Sequence, residues 1–471
     1  MASEFLVFVK EECATCELVQ PVLKQLESEL NLTVYSQDNP DFPAGLKVND
    51  DTDLAISYRH RIETVPTLIR ISSDDEERTE GWDREAWELM TGLSLEKSLP
   101  AFRPGCGSMT VEPGMPEKLA IRFGQSELQA RHLELAEQED EIEACFERGW
   151  SDGLPLVPPT PLRVVQMLQG TRRHPGEIIG EVPPDCSPCT IEKVAINAVM
   201  AGCKPEYLPV VIAAVEAALM EPFCMHGLLA TTYFSGPMVM VNGPIARSIG
   251  MNSRGNALGQ GNRANATIGR ALQLVIRNVG GGKPGGVDRS AFGNPGKYTF
   301  CFAEDETNSC WTSYAEDRGF SRDKSTVTLF AADGVQGLVD QKSRQPESLA
   351  RSFAAGLKSV AHPKMIMSAD AFLVVSPEHE RVFRDAGWSK ADLLKTLGEL
   401  LIRDGSELVV NAGGIQEGIP AHLENAKLPK FREGGLNIVR AGGDAGLFSA
   451  IIAGWAASGD KGSVPVTREI N

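Results

Sequence analysis

No run of eighteen apolar residues occurs in this 471-residue sequence, so a membrane-spanning helix is not expected. Basic residues are scarce: 46 Lys and Arg stand against 63 Asp and Glu, a net charge of −17. That balance disfavours nucleic acid or an anionic membrane as partner, since both need basic patches. The opening Met1-Ala2-Ser3-Glu4 lacks the basic residues of a secretory signal, and the expected compartment is the cytoplasm. A Gly-x-Ser-x-Gly elbow, a His-Glu-x-x-His helix and a complete dinucleotide fingerprint are all missing, which weakens hydrolase and dehydrogenase chemistry; Gly442-Gly443-Asp444-Ala445-Gly446 echoes the last only loosely. The glycines before Lys283 lack the Ser or Thr that a phosphate loop places on magnesium, Pro284 standing there instead, so nucleotide hydrolysis is not expected. No cofactor is implied, and the sequence is silent on oligomeric state.

What is present begins with Cys13-Ala14-Thr15-Cys16, placed between the apolar run Phe5-Leu6-Val7-Phe8-Val9 and a helix-like stretch over 17–26. A strand emptying into CxxC at a helix start favours a thiolate, because unpaired N–H groups and the positive helix end stabilise the first sulfur. Some fifty residues later come Thr64-Val65-Pro66-Thr67, the strand Leu68-Ile69-Arg70-Ile71 and a helix over 83–90. In this combination residues 1–97 resemble the thioredoxin and glutaredoxin superfamily. The resemblance implies that Pro66 is cis and shapes the docking surface, that Cys13 attacks an oxidised sulfur and that Cys16 resolves the mixed disulfide. The Ala-Thr dipeptide differs from the Gly-Pro of thioredoxin, which leaves the potential open, and the chain starts directly at the CxxC strand, as in a minimal version. A docking-only form of the fold and a zinc knuckle are the alternatives; zinc needs a second ligand pair, and His60 is the one histidine of this segment.

At this length two or three domains are expected. Residues 1–100 hold 21 acidic against 9 basic side chains, so most of the acidity lies on the redox domain. Ten cysteines (13, 16, 106, 145, 186, 189, 203, 224, 301 and 310) in a reducing compartment do not make a disulfide framework. The Pro- and Gly-rich residues 98–125 read as a linker with Cys106 as a candidate relay, and 126–148 as an amphipathic bridging helix. The stiff loop 149–160 lines a site or forms a rigid domain entry, and Thr160 and Pro161 start a helix. Two buried apolar helices are predicted over 191–203 and 205–219. Strands ending in glycine turns are predicted at 239–244, 409–414 and 438–443, the last opening into a helix over 447–455. The fold class is α/β: a small thioredoxin-like domain plus a larger α/β domain over 149–471, with its site on the glycine-turn side.

Three constellations carry chemistry in the larger domain. Cys186 and Cys189 form a second CxxC before a helix, where a lowered thiol pKa and electron transfer from Cys13 and Cys16 are expected. Cys186, Cys189, Cys203, Cys224 and His226 match no zinc spacing, so no metal is expected. Asn252, Arg254, Asn262, Arg263, Asn265 and Arg270 sit among glycines before a helix and offer donors to a carboxylate or phosphate. Glu304, Glu306 and His379 are candidate acid/base groups or solvated surface residues, His379 at an exposed helix start. Segments 149–160, 197–211 and 263–271 are also similar to an uncharacterised bacterial group loosely associated with selenium- or thiol-dependent redox proteins. The resulting expectation is a thiol-disulfide oxidoreductase whose CxxC domain exchanges electrons with an α/β domain acting on a small, anionic substrate, with a thiol/disulfide protein as a further partner. The alternatives are a lyase or hydrolase with the redox domain protecting a catalytic thiol such as Cys224, and a docking module.

Overall fold

The structure, a computed structural model, describes residues 4–72, 75–123, 128–136, 138–307, 309–456 and 462–471. The chain divides into two units, residues 1–126 and 127–471, and both are α/β.

In the first unit β1 (Glu4–Val9) is buried from Phe5 to Val9, as expected of a strand covered on both faces. It runs into α1 (Ala14–Glu29), whose Cys16, Val19, Leu23 and Leu26 recur at helical spacing and face the sheet. There follow β2 (Leu32–Ser36), β3 (Val48–Asp50), α2 (Ala55–Arg59), β4 (Thr64–Val65), β5 (Thr67–Ser72), β6 (Asp75–Glu80), β7 (Trp82–Asp83) and α3 (Arg84–Thr91). The sheet order is β3-β2-β1-β5-β6, with β1 parallel to β2 and antiparallel to β5. Asp83 caps α3 by accepting the Ala86 N–H, and Gly92 at φ +73° ends it. Trp87 on α3 meets Trp82 edge-on at 5.2 Å between ring centres.

The expected linker is different. Residues 98–122 fold onto the first unit: β8 (Phe102–Arg103) pairs with β7, β9 (Cys106–Gly107) pairs with β4, and α4 (Met115–Arg122) follows. Glycine there serves close approach rather than mobility. A Cβ on Gly105 would lie 2.8 Å from the Val65 carbonyl and collide with the Thr64 methyl.

The second unit starts with α5 (Glu141–Glu147), α6 (Pro161–Leu168) and the hairpin of β10 (Ile178–Val182) and β11 (Ser187–Thr190). Helices α7 (Ile191–Ala201), α8 (Leu208–Ala218) and α9 (Met225–Ala230) follow, the first two buried nearly all round. The chain continues through β12 (Gly236–Asn242), α10 (Pro244–Ser248), α11 (Arg263–Asn278), β13 (Cys301–Ala303), α12 (Tyr314–Asp317), β14 (Thr326–Val339), α13 (Pro346–Leu357), β15 (Ala369–Val375), α14 (Pro377–Asp385) and α15 (Lys390–Leu400). Next, β16 (Ile402–Asp404) and β17 (Lys427–Pro429) pair around α16 (Gly405–Leu408), and β18 (Leu436–Arg440), β19 (Phe448–Ala456) and β20 (Val466–Glu469) close the chain.

The large sheet has the order β13-β12-β14-β19-β15-β18, with β20 beside β14. Its two halves repeat one plan. In each, an outer strand runs parallel to its neighbour, which is antiparallel to a central strand, and the central pair β14–β19 joins them. Phe302, Phe330, Phe372, Val439 and Ile452 share one buried face. The opposite face packs on α7, α8 and α11 in the first half and on α13, α14 and α15 in the second. The Asp305 N–H donates to the Arg440 carbonyl at 2.8 Å, so the chain beyond the two outer strands meets and the sheet curls round its shared face.

Three expected elements differ. In place of a bridging helix over 126–148, only α5 is helical among the described residues; residues 126, 127 and 137 lie outside them. The Gln129 and Ala130 N–H groups donate to the buried Glu192 carboxylate at 3.0 and 2.9 Å, which takes them out of any helical ladder. Residues 447–455 are the strand β19, because Ala450-Ile451-Ile452-Ala453 suits either period and the places beside β14 and β15 decide. Residues 409–414 form turns after α16 rather than a strand.

Candidate functional site: three thiols in the first unit

Cys13 is the N-cap of α1, and its sulfur accepts the Cys16 N–H at 3.4 Å. The Cys13 pKa is lowered to about 5, first by the hydrogen bond from the Cys16 thiol and then by one from the Cys106 thiol and by the Cys16 and Thr15 amides. Burial opposes this and loses. Cys16 is fully buried, and its thiol is pushed far up by desolvation and by donating a hydrogen bond to Cys13. Val65–Pro66 is cis, and the Val65 carbonyl lies 3.5 Å from the Cys13 sulfur. Sulfur, donors and Val65 carbonyl thus converge from α1, β4 and β9. The arrangement holds a nucleophilic thiolate with a protonated thiol within hydrogen-bonding reach, which is what attack on a disulfide and its resolution require.

Cys106 was placed by the sequence on a mobile linker; it is half-buried on β9, opposite Val65 in the ladder. Its thiol is raised by burial and by its hydrogen bond to Cys13. Sequence reasoning missed its position because β4 and β9 are two residues each, below the length at which alternation is readable. Gly105 between Pro104 and Cys106 was the available signal.

No family model and no curated protein matches the chain. Among the described residues no group of three or more His, Cys, Asp or Glu is arranged to hold a metal, and no single helix is long and apolar enough to cross a membrane.

In the second unit the predicted residues fall into separate places. Cys186 is exposed in the β10–β11 turn at φ +52°, and Cys189 is completely buried on β11. A lowered pKa was expected for one of this pair; burial pushes Cys189 up to about 12, and Thr190, not a cysteine, caps α7 by accepting the Lys193 N–H. Cys224 is half-buried in a left-handed turn before α9.

The Asn/Arg segment is knitted into its own backbone. Asn262 caps α11 and donates to the Gly250 carbonyl at 2.8 Å. Asn265, buried, accepts the Asn252 N–H and donates to the Asn252 and Ala257 carbonyls, while the Asn252 side chain holds the Arg254 N–H and the Gly255 carbonyl. Arg263 closes α7 on the Gly202 carbonyl. Arg270 grips Asp152 with two 2.8 Å bonds and the Leu154 and Pro155 carbonyls, which fixes the stiff loop 149–160. Arg254 pairs with Asp444.

Glu304 and Glu306 are anchors rather than solvated carboxylates. Glu304 is buried and accepts from Asn242 and from the Tyr314 N–H, at 2.6 and 2.8 Å; desolvation raises its pKa to about 7. Glu306 receives the Gly243 N–H at 3.1 Å. His379 is fully buried, not exposed: its Nε2 donates to the Asp340 carbonyl at 3.0 Å, Nδ1 takes the Ser449 hydroxyl at 2.8 Å, and burial lowers its pKa. Beyond the strand ends, buried Arg440 pairs with Glu380 at 2.8 Å and Asp305 at 3.2 Å, a charge cluster drawn from residues too far apart in sequence to be foreseen. A cavity of about 480 Å3 opens elsewhere in this unit, lined by Leu228, Gln273, Arg277, Asp288 and Lys297 with exposed Phe292. That is the size of a small-molecule site.

Proposed function

We propose that the protein is a thiol-disulfide oxidoreductase whose first unit is a thioredoxin-like module. The single observation that carries the reading is the Cys13 sulfur, capped by the start of α1 and held near pKa 5 by converging donors. The order β1-α1-β2 followed by β5-β6-α3 on one sheet, with cis Pro66 beside Cys13, supports the module.

In this reading the Cys13 thiolate attacks a disulfide R–S–S–R′. A Cys13–S–S–R bond forms, the S–S bond breaks and R′S⁻ leaves. The Cys16 sulfur then attacks Cys13, its proton passes to the departing RS⁻, and a Cys13–Cys16 disulfide and RSH result. Two electrons move from the protein to the substrate. The second unit supplies a site for a small, anionic molecule, with Arg277 on the wall of its cavity and Lys297 there paired to Asp288 at 2.7 Å. Of the second CxxC, Cys186 is the thiol open to exchange, since it is exposed and Cys189 is buried; Cys310 is the other exposed thiol of that unit. Equilibration of the full chain in glutathione buffers of graded ratio, followed by acid quench and thiol mapping, tests this. A reversible two-electron couple involving Cys13 is expected; no such couple overturns the reading.

A further inference from the structure

We infer that Cys106 is a third redox thiol, competing with Cys16 for the Cys13 sulfur so that the site has two disulfide states, Cys13–Cys16 and Cys13–Cys106. The inference rests on the proposed redox reading and deepens it. Its ground is the course of residues 100–110, which lie across the site as a strap. The Trp82 indole N–H holds the Pro100 carbonyl and the Thr15 hydroxyl holds the Pro104 carbonyl, both at 2.7 Å. Gly105 packs against Val65 and Gly81 where no side chain fits. Cys106 and Gly107 pair antiparallel with Val65 and Thr64, and the Ser108 N–H reaches the Glu63 carbonyl at 2.9 Å. Gln37, buried, then locks Ser108 and the Met109 amide.

Two consequences follow from this docking. The ladder position beside Val65 is already filled by the protein's own chain, with a cysteine at the residue facing Val65, whose carbonyl is 3.5 Å from Cys13. The Pro104 carbonyl held by Thr15 keeps the strap against the start of α1, and a hydrogen bond from the Cys106 thiol is among the causes that lower the Cys13 pKa, so the two thiols are neighbours before any oxidation. Cys16 is fully buried, whereas Cys106 is half-exposed.

With glutathione disulfide as oxidant, Cys13–S⁻ displaces one glutathione thiolate and becomes Cys13–S–S–glutathione. Cys106 attacks the Cys13 sulfur, its proton goes to the second departing glutathione thiolate, and Cys13–Cys106 forms. Cys16 can attack the same sulfur, with Cys106 leaving and taking the Cys16 proton, which interconverts the two states without net oxidation.

The test uses the full chain and its Cys16→Ser, Cys106→Ser and double variants, each reduced, exposed to glutathione disulfide at neutral pH, acid-quenched at intervals, alkylated and mapped by peptide mass spectrometry. Cys16→Ser should give a Cys13–Cys106 cross-link and lose its glutathione adduct at least about tenfold faster than the double variant. Persistent glutathione on Cys13 of Cys16→Ser, with Cys106 alkylated, overturns the inference while leaving the redox reading intact. Failure of the redox reading shows differently: the wild type then takes up neither glutathione nor a disulfide at Cys13. A second measurement does not need Cys16 altered: Cys106→Ala should move the pH midpoint of Cys13 alkylation upward, and an unmoved midpoint counts against contact between the two sulfurs.

Discussion

The two units treat the same side chain in opposite ways. In the first, three cysteines converge and one sulfur is held as thiolate by two thiols and two amides. In the second, Cys145, Cys189, Cys203, Cys301 and Cys310 all have raised pKa values, with burial as the leading cause of each. Burial is common to both units, since Cys13 is buried too. The difference lies in donors: a helix start and neighbouring thiols outweigh desolvation at Cys13, whereas Cys189 and Cys203 lie in apolar packing. Acidic groups show the complementary pattern, with Glu304 sealed behind the sheet end and pushed toward neutrality.

The largest effect expected from this contrast is on reactivity. Cys13→Ser should lower the rate of alkylation of the full chain by a mild electrophile at pH 6 by about five- to tenfold, because the roughly 300-fold gain in thiolate fraction over an ordinary thiol is partly offset by the weaker nucleophilicity of a low-pKa sulfur. A small change would mean that another cysteine carries the reactive sulfur. Arg270→Ala comes next. It strands Asp152 and frees the loop carbonyls of Leu154 and Pro155, and should cost about 2–3 kcal/mol in chemical denaturation of the second unit while leaving Cys13 alkylation unchanged.

Stability against pH should slope in opposite directions in the two units. Cys13 has a depressed folded pKa, so its contribution to the reduced protein is present at high pH and is lost as pH falls through about 5. Glu304 has a raised one, so its contribution is complete below the usual carboxylate range and is lost as pH rises through about 7. Hydrogen exchange of each unit across pH 4 to 9 reads both slopes, and Glu304→Gln should flatten the second by an amount worth about 2–4 °C in Tm. Smallest of all is Cys189→Ala, which should leave thiol exchange at Cys13 unaltered, since a thiol near 12 is inert at neutral pH. A changed exchange rate would bring Cys189 back as an electron partner.

Local chemistry was readable. Phe5 to Val9 and the CxxC gave β1 and the start of α1, Thr160-Pro161 marked α6, and the apolar sequence of 191–219 gave α7 and α8. Residues whose fate depends on a distant partner were not. The Asn/Arg segment looked like a ligand cradle, yet Asn265 and Asn262 hold the loop that carries them, because a polar glycine-rich chain must first satisfy its own backbone. Cys106 looked mobile because prolines and glycines were read without the surface they fit.

By itself the sequence determined the α/β class and the cysteine that opens α1, since helix periodicity, capping and apolar runs act within a few residues. Only the tertiary structure decided that Cys106 pairs beside Val65 near Cys13, that 448–456 is a central strand and that Arg440 pairs with Asp305 and Glu380. Those outcomes depend on which hydrogen-bonding edges and buried charges meet across the fold, and spacing along the chain does not encode that.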